Sequence, residues 1–373
     1  MIYLDYAATT PMTKQALDAY IESAQNIYGN SSSLHDAGGR ANQAVEWSRK
    51  IIAEQLGVHH DGIIFTGSGT ESNILSIVSL ARKKHRGQHI ITSMAEHTSV
   101  HAAMNTLEQE GFRITKLPFT EEGIIDMTEL EQSICDDTTL IAIQHVNSEI
   151  GSIQPIEAII RLAKKHRIYV HVDCVQSYCK WPITHFAKEV DGLAISAHKI
   201  GGPKGCGAVY LNPYVQVAPL FPGVTHERGL RGGTLDTPSI IAMAVATKHF
   251  HYEIEHQWAL REAFLTQLQE RCNAYIQVIC SNKQHQLPNI VGLCMHGVEG
   301  QLVMLKLNEA GIAVSTGSAC DINSASGTKA ILAMGKSINE ARQFFRVSFG
   351  VNTTMQEVLT CADQIAKMQR FID

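Results

Sequence analysis

What this 373-residue sequence lacks already narrows its chemistry. It has no surplus of positive charge: 31 Lys and Arg stand against 36 Asp and Glu, a net charge of -5, so no basic field awaits a nucleic-acid backbone. No apolar run approaches the roughly 18 residues of a membrane span. The start, Met1-Ile2-Tyr3-Leu4-Asp5, meets an aspartate at once and carries no basic segment, unlike a signal peptide. The nine cysteines are scattered, with no CxxC pair and no zinc spacing. An odd number without a secretion signal points to free thiols in a reducing cytoplasm and to no resident metal. A Walker A motif and a full GxGxxG with its distal acid are also missing, which argues against a nucleotide-binding dehydrogenase. Repeats and low-complexity segments are not seen.

What is there is a chain 45% hydrophobic, enough for a large core and a second, smaller one. Helices are expected over Met12 to Gln25, Gly39 to Leu56, Ser72 to Arg82, one long stretch from Ser239 to Arg271, and from Met355 onward. The basic clusters Arg82-Lys83-Lys84-His85-Arg86 and Lys164-Lys165-His166-Arg167 fall at helix ends, where they complement the dipole. Between helices lie short apolar runs: Gly62 to Thr66, His89 to Thr92, Leu140 to Val146, Ile168 to Asp173 and Leu193 to Ser196. Such alternation predicts an α/β fold, a mostly parallel central sheet with helices on both faces. We expect this large domain over residues 14–255, with a smaller α+β domain made from 1–13 and 256–373.

Ligands of such sheets collect at the carboxyl ends of the strands. Each expected strand delivers a polar side chain there: Thr70, His97, Asn147, Asp173 and Lys199. Gly67-Ser68-Gly69-Thr70, between a strand and a helix, suits an anion seat, although it also suits an ordinary turn. A lysine and an aspartate on two strand ends are what pyridoxal phosphate needs, one to bond the cofactor and one to keep its ring nitrogen protonated. Arg346, inside the apolar run Phe344 to Phe349, needs an anionic partner, and a substrate carboxylate would serve. The loop His226 to Thr234, with two arginines among its glycines, suits an anion, a subunit contact or a plain surface turn. On spacing alone Tyr28 to His35 is an ordinary connection, although Asn30 and His35 would face a ligand if it were not.

With these residues in view, the chain resembles the cysteine desulfurases of the NifS/IscS type, class V aminotransferases with the type I pyridoxal-phosphate fold. The likeness runs from Tyr3-Leu4-Asp5-Tyr6-Ala7-Ala8-Thr9-Thr10-Pro11 to Arg346. It includes Glu96-His97, His145-Val146-Asn147-Ser148-Glu149-Ile150-Gly151, His171-Val172-Asp173, Ser196-Ala197-His198-Lys199 and Ser315-Thr316-Gly317-Ser318-Ala319-Cys320. The resemblance implies roles. Lys199 would carry the cofactor, with Asp173 on the ring nitrogen, Gln176 on the phenolic oxygen and His97 against the ring. Gly69, Thr70, Ser196, Ala197 and His198 would hold the phosphate, joined by Thr234 from the second subunit of a homodimer. Asn147, Arg346 and Asn30 would bind the substrate carboxylate.

Cys320 would take sulfur from L-cysteine as a persulfide, leaving L-alanine, and pass it to an acceptor protein such as an iron–sulfur scaffold. Its segment of small residues, about 316–328, offers nothing to bury a thiol and suits a mobile nucleophile. No metal is implied beyond a transient iron–sulfur contact there. The sequence departs from the family in the order of Gly67-Ser68-Gly69, in Cys174 and Cys206, and in Gly327-Thr328 closing the cysteine segment, which leaves the acceptor open. Three alternatives remain: a selenocysteine lyase, a class V aminotransferase, and a regulatory or assembly subunit on a decayed fold. Cys320 argues against the second, and the intact Lys199, Asp173, His97 and Cys320 against the third.

Overall fold

The architecture is that of a computed structural model, which describes residues 1–83, 86–272, 274–279, 282–316 and 328–368. Cys320 and its segment lie outside the described residues. The strands are β1 (Ile2–Tyr3), β2 (Ile63–Thr66), β3 (His89–Ser93), β4 (Arg113–Leu117), β5 (Thr138–Gln144) and β6 (Tyr169–Asp173). They continue as β7 (Gly192–Ser196), β8 (Gly207–Leu211), β9 (Ile276–Ile279), β10 (Ile290–Met295), β11 (Ile312–Ala313) and β12 (Phe344–Ser348).

Seven of them form one sheet in the order β2-β8-β7-β6-β5-β3-β4. Strands β3 to β7 run parallel, and only β8, antiparallel to both β7 and β2, is reversed. The carboxyl ends of β2, β3, β5, β6 and β7 therefore share one edge. Alternate side chains feed two cores. Ile64, Leu140 and Ala142 pack with the helix Gly69–Arg82 on one face, while Phe65, Ile141 and Ile143 enter the larger cluster on the other. The helix Ile156–His166 shows why these segments cover the sheet: Ile156, Ile159, Ile160 and Ala163 form one buried stripe. It ends on Lys164, Lys165 and His166, with Arg167 in the left-handed region at φ 56.

The expected long helix from Ser239 to Arg271 is two, Thr237–His249 and Ile254–Cys272. The backbone becomes extended at Phe250, and the Tyr252 hydroxyl then donates to Asn289 Oδ1 (2.9 Å), a tie a continuous helix would not make. The second helix sends Leu260, Phe264 and Leu268 into a separate core with β10, β12 and the last helix, Met355–Ala366. β9, β10 and β12 are antiparallel. The chain start joins them: β1 pairs with β11, and Leu4 lies in this second core.

The loop Glu227–Gly229 is held to the large sheet by a buried ion pair. Arg49 donates to both Glu227 oxygens (2.8 and 3.0 Å), and Glu227 also accepts the Phe65 N–H (2.6 Å). Two successive non-glycine residues, Glu227 and Arg228, sit at positive φ (44° and 59°), a conformation that persists only where the surroundings impose it. Arg228 bonds Asp61 and Arg231 bonds Glu71. Both arginines of this loop thus pair with carboxylates of their own chain. Arg49→Met leaves the Glu227 carboxylate buried without its cation, and we expect a loss of roughly 3–5 kcal/mol. Urea unfolding would measure it, and a loss below about 1 kcal/mol would mean that the pair is effectively solvated.

Candidate active site

The shared strand edge opens onto a cavity of about 310 Å³. β7 ends at Ser196 and tightens into a single turn, Ala197–Lys199, which brings Lys199 back over the edge. Asp173 closes β6, with Gln176 just beyond, and His97 follows β3. The helix Gly69–Arg82 begins at the same edge, capped by the Ser68 hydroxyl. Gly69, Thr70, His97, Asp173, Gln176, Ser196, His198, Lys199 and Arg346 all line the cavity. Asn147, Ala197, Asn30 and Thr234 do not. Ala197 is buried in the apolar core below. Asn30 and Thr234 are exposed.

Lys199 Nζ donates to the carbonyl oxygens of Ala7 (2.6 Å) and Ala8 (2.8 Å), and Gln176 Nε2 also donates to Ala7 O (2.8 Å). The segment after β1 thus forms a wall of the site through its backbone, which side-chain patterns do not reveal. Asp173 accepts from Asn73 Nδ2 (2.7 Å) and from the Val175 N–H (2.9 Å). Arg346 donates to Asp5 Oδ1 and to Ser148 O, both at 2.7 Å, while its buried Nε has no partner. An anionic partner expected from outside is therefore already supplied in part by Asp5. Asn147, buried, accepts the Glu149 and Ile150 N–H groups and donates to Ala95 O and Gln144 Oε1. Its side chain shapes a turn and has no polar atom left for a ligand.

Burial sets the titration of the neighbours. It holds the His97 imidazole below its usual range, with Lys199 and Lys329 adding to the effect and Asp173 opposing it. Burial first, then Lys199, keeps His198 near 3. Two carboxyls missed by the sequence reading move the other way: burial raises Glu96 to about 8 and Glu149 to about 6. Glu96 accepts from Ser93 Oγ (2.6 Å) and the Gln144 N–H (2.9 Å), and Glu149 from the Ala330 N–H (2.8 Å). Lys329 also lines the cavity. Asn73 was missed too, although it stands three residues after Thr70, on the same helical face.

The arrangement offers an amine opposite a carboxylate, beside an anion seat at a helix N-terminus. Ser196 Oγ and Gln176 Oε1, both buried on the cavity wall, have no hydrogen-bond partner. Buried polar atoms are rarely left so, and among the described residues these two belong to side chains that line the cavity.

The family model for class V aminotransferases matches residues 2–360. The chain belongs to that family. Among curated class V relatives, a putative cysteine desulfurase NifS of Bacillus subtilis (strain 168) is 42% identical over 363 residues, covering 96% of this chain and 92% of that protein. The cysteine desulfurase IscS of Dictyoglomus turgidum is 37% identical over 373 residues, covering 98% and 94%. Among solved structures, a NifS-like protein superposes with a TM-score of 0.90 at 32% identity, covering 99% of both chains. SspA in complex with cysteine gives a TM-score of 0.82 at 34% identity, covering 94% of this chain and 99% of that one.

The carboxyl next to His97 gives a pH test. Folded Glu96 keeps its proton to about pH 8, whereas its ordinary value is 4.5. Stability contributed by this group is full below pH 4.5 and falls as pH rises towards 8, by on the order of a few kcal/mol. Glu96→Gln cannot ionise and should flatten that slope in thermal unfolding followed from pH 5 to 8.5; parallel slopes for variant and wild type would clear Glu96 of the effect.

Proposed function

We propose that this chain is a pyridoxal-phosphate-dependent cysteine desulfurase, which moves sulfur from L-cysteine to Cys320 and on to an acceptor protein such as an iron–sulfur scaffold. The observation that carries it is the meeting of Lys199, Asp173 and the Gly69-Thr70 helix start in one cavity. The residues fit the cofactor. Ser196 Oγ and Gln176 Oε1 are unpartnered, and a Cβ on Gly69 would lie 2.8 Å from Val175 Cγ2, so the seat takes backbone there and nothing larger. The likeness to proteins named cysteine desulfurase, and to one solved with cysteine, supports the substrate.

When bound, the cofactor supplies a protonated ring that accepts the electron pair left at the substrate's Cα. Asp173, braced by two N–H donors, would keep the proton on the ring nitrogen, and Gln176 would face the phenolic oxygen. Thr70, Ser196 and His198 would hold the phosphate with the N–H groups at Gly69. Thr234, exposed and away from its own cavity, suits a role in the cavity of a second copy, which makes the working form a homodimer. Arg346, which lines the cavity, would bind the substrate carboxylate, whereas Asn147 and Asn30 do not line it. Lys199 would remove the Cα proton. Burial and the nearby lysines favour the neutral imidazole of His97, which would lie against the ring.

The Cys320 thiolate would then attack the substrate sulfur. The S–S bond forms as the Cβ–S bond breaks, the electron pair stays on carbon and is protonated, and the products are L-alanine and a persulfide on Cys320. A free thiol with a pKa of about 8.5 is mostly protonated at neutral pH, so deprotonation of Cys320 is part of this step.

Lys199→Ala should lose alanine production by roughly a thousandfold, and substantial turnover by it would contradict the base assignment. Cys320→Ala should keep the cofactor's visible absorbance and still bind cysteine, yet give no persulfide by mass spectrometry. Full sulfur release from that variant would remove Cys320 from the mechanism.

A further inference from the structure

We propose that Asn73 is a positioning residue that ties Asp173 and His97 into one hydrogen-bonded unit and holds His97 as the neutral imidazole with its proton on Nε2. The consequence for the cofactor rests on the function proposed above; the network itself does not.

The polarity of the network follows from its partners. Asn73 Nδ2 lies 2.7 Å from Asp173 Oδ2 and 3.0 Å from Ser99 Oγ, while Oδ1 lies 2.9 Å from His171 Nε2. A carboxylate accepts only, so the nitrogen of the amide must face Asp173, and both its hydrogens are engaged. Amide oxygen accepts only, so His171 carries its proton on Nε2 and takes the Ser76 hydroxyl at Nδ1 (2.8 Å). His171 is wholly buried and burial keeps it near 3, so this tautomer persists across the working pH range.

The same logic runs outward to His97. Ser99 Oγ accepts from Asn73 and lies 2.7 Å from His97 Nδ1, to which it donates because the Ser99 backbone N–H fixes that nitrogen as an acceptor. The Ser99 backbone N–H donates to the same Nδ1 (3.2 Å) where His97 caps the helix Thr98–Gln109. Two donors converge there, so Nδ1 accepts and the proton of the neutral ring is on Nε2, leaving that nitrogen for the cavity His97 lines. Protonating His97 would set an N–H against the Ser99 backbone N–H. Asn73 fills one of the two acceptor positions of the Ser99 hydroxyl and so holds its oxygen against Nδ1. The charged and titratable groups that also bear on His97 are Asp173 from β6, Lys199 beyond β7, Lys329 after the cysteine segment, and the neutral His101 and His198.

His97 thus meets a ligand as a hydrogen-bond donor, and abstraction falls to Lys199. Asn73 serves two sites at once, the carboxylate for the ring nitrogen and the imidazole beside the ring. It lines the cavity and acts through Asp173 and Ser99.

The test uses the full chain labelled with 15N-histidine, with His97 assigned by its loss in His97→Gln. Without added cofactor, Asn73→Ala and Ser99→Ala should each raise the His97 titration midpoint by about one pH unit, the equivalent of one hydrogen bond. Pyridoxal phosphate affinity, read by absorbance titration, should fall roughly tenfold in Asn73→Ala, which strips a donor from Asp173, and stay unchanged in Ser99→Ala. An unmoved midpoint in both variants overturns the His97 half of the proposal, and unchanged affinity in Asn73→Ala overturns the Asp173 half. A drop in melting temperature with neither readout moved assigns Asn73 a structural role and overturns both. If Asn73→Ala does not fold, Ser99→Ala decides, and an unmoved midpoint there overturns the coupling. Failure of the wild type to bind pyridoxal phosphate would defeat the cofactor reading instead, and the midpoints would still test the network.

Discussion

The amine of Lys199, held 2.6 and 2.8 Å from the carbonyl oxygens of Ala7 and Ala8, is the contact on which the site depends. It joins residues 192 and 191 positions apart. The segment that supplies those carbonyls is anchored at both ends. On one side Leu4 lies in the core beneath β10 and β12, and its carbonyl accepts the Ser348 N–H (2.8 Å). On the other, Thr10 bonds the His198 carbonyl and the Gly201 N–H, and the Thr13 N–H bonds Gly201 O. The wall facing the amine is thus pinned to both cores, and any movement between them would be felt at Lys199.

Electrostatics reinforce that placement by removing competing charges. Burial leaves His171 and His198 neutral and pushes the Glu96 and Glu149 carboxyls towards their protonated forms. Buried charge survives where a built partner offsets desolvation. Arg346 has Asp5, and Arg49 has Glu227. Asp173 has its two N–H donors, which stabilise a carboxylate without neutralising it. A site prepared in this way can hold a cationic ring nitrogen at Asp173, because the negative charge there is supported by dipoles rather than consumed by a counter-ion.

Much of this was legible in the sequence, and the reason is geometric. Parallel strands deposit their carboxyl ends on one edge, so Thr70, His97, Asp173 and Lys199 could be brought together from strand order alone. Asn147 shows the limit: strand position put it at the edge, but side-chain direction turned it into the Glu149 and Ile150 turn. Arg346 was read as needing an anion, correctly, yet a sequence does not say that Asp5, 341 residues away, supplies one. Asn73, Ser99 and the Ala7 and Ala8 carbonyls were hidden for a related reason. They act through hydrogen bonds within the wall and carry no charge, and the three-residue spacing of Asn73 from Thr70 is the one periodic signal among them. The break near Phe250 was missed because both flanking segments are good helix formers, and the tie of Tyr252 to Asn289 is tertiary.

The thiols of the described residues bear on which cysteine could serve as the proposed nucleophile. Cys174 follows Asp173 directly, yet it is wholly buried and burial pushes its thiol well above the ordinary range. Cys206, Cys294 and Cys361 are raised for the same reason, and so is Cys179. A thiol in that frame stays protonated and so is a poor nucleophile, since the thiolate is the reactive form. Lowering its pKa would require opening the frame to water or placing a cation beside it, and either change would disturb the support of Asp173. Sulfur chemistry at this site therefore asks for a thiol that is not part of the packed wall and that can deprotonate outside it before meeting the substrate. By composition, the mostly small and polar segment that carries Cys320 suits that demand.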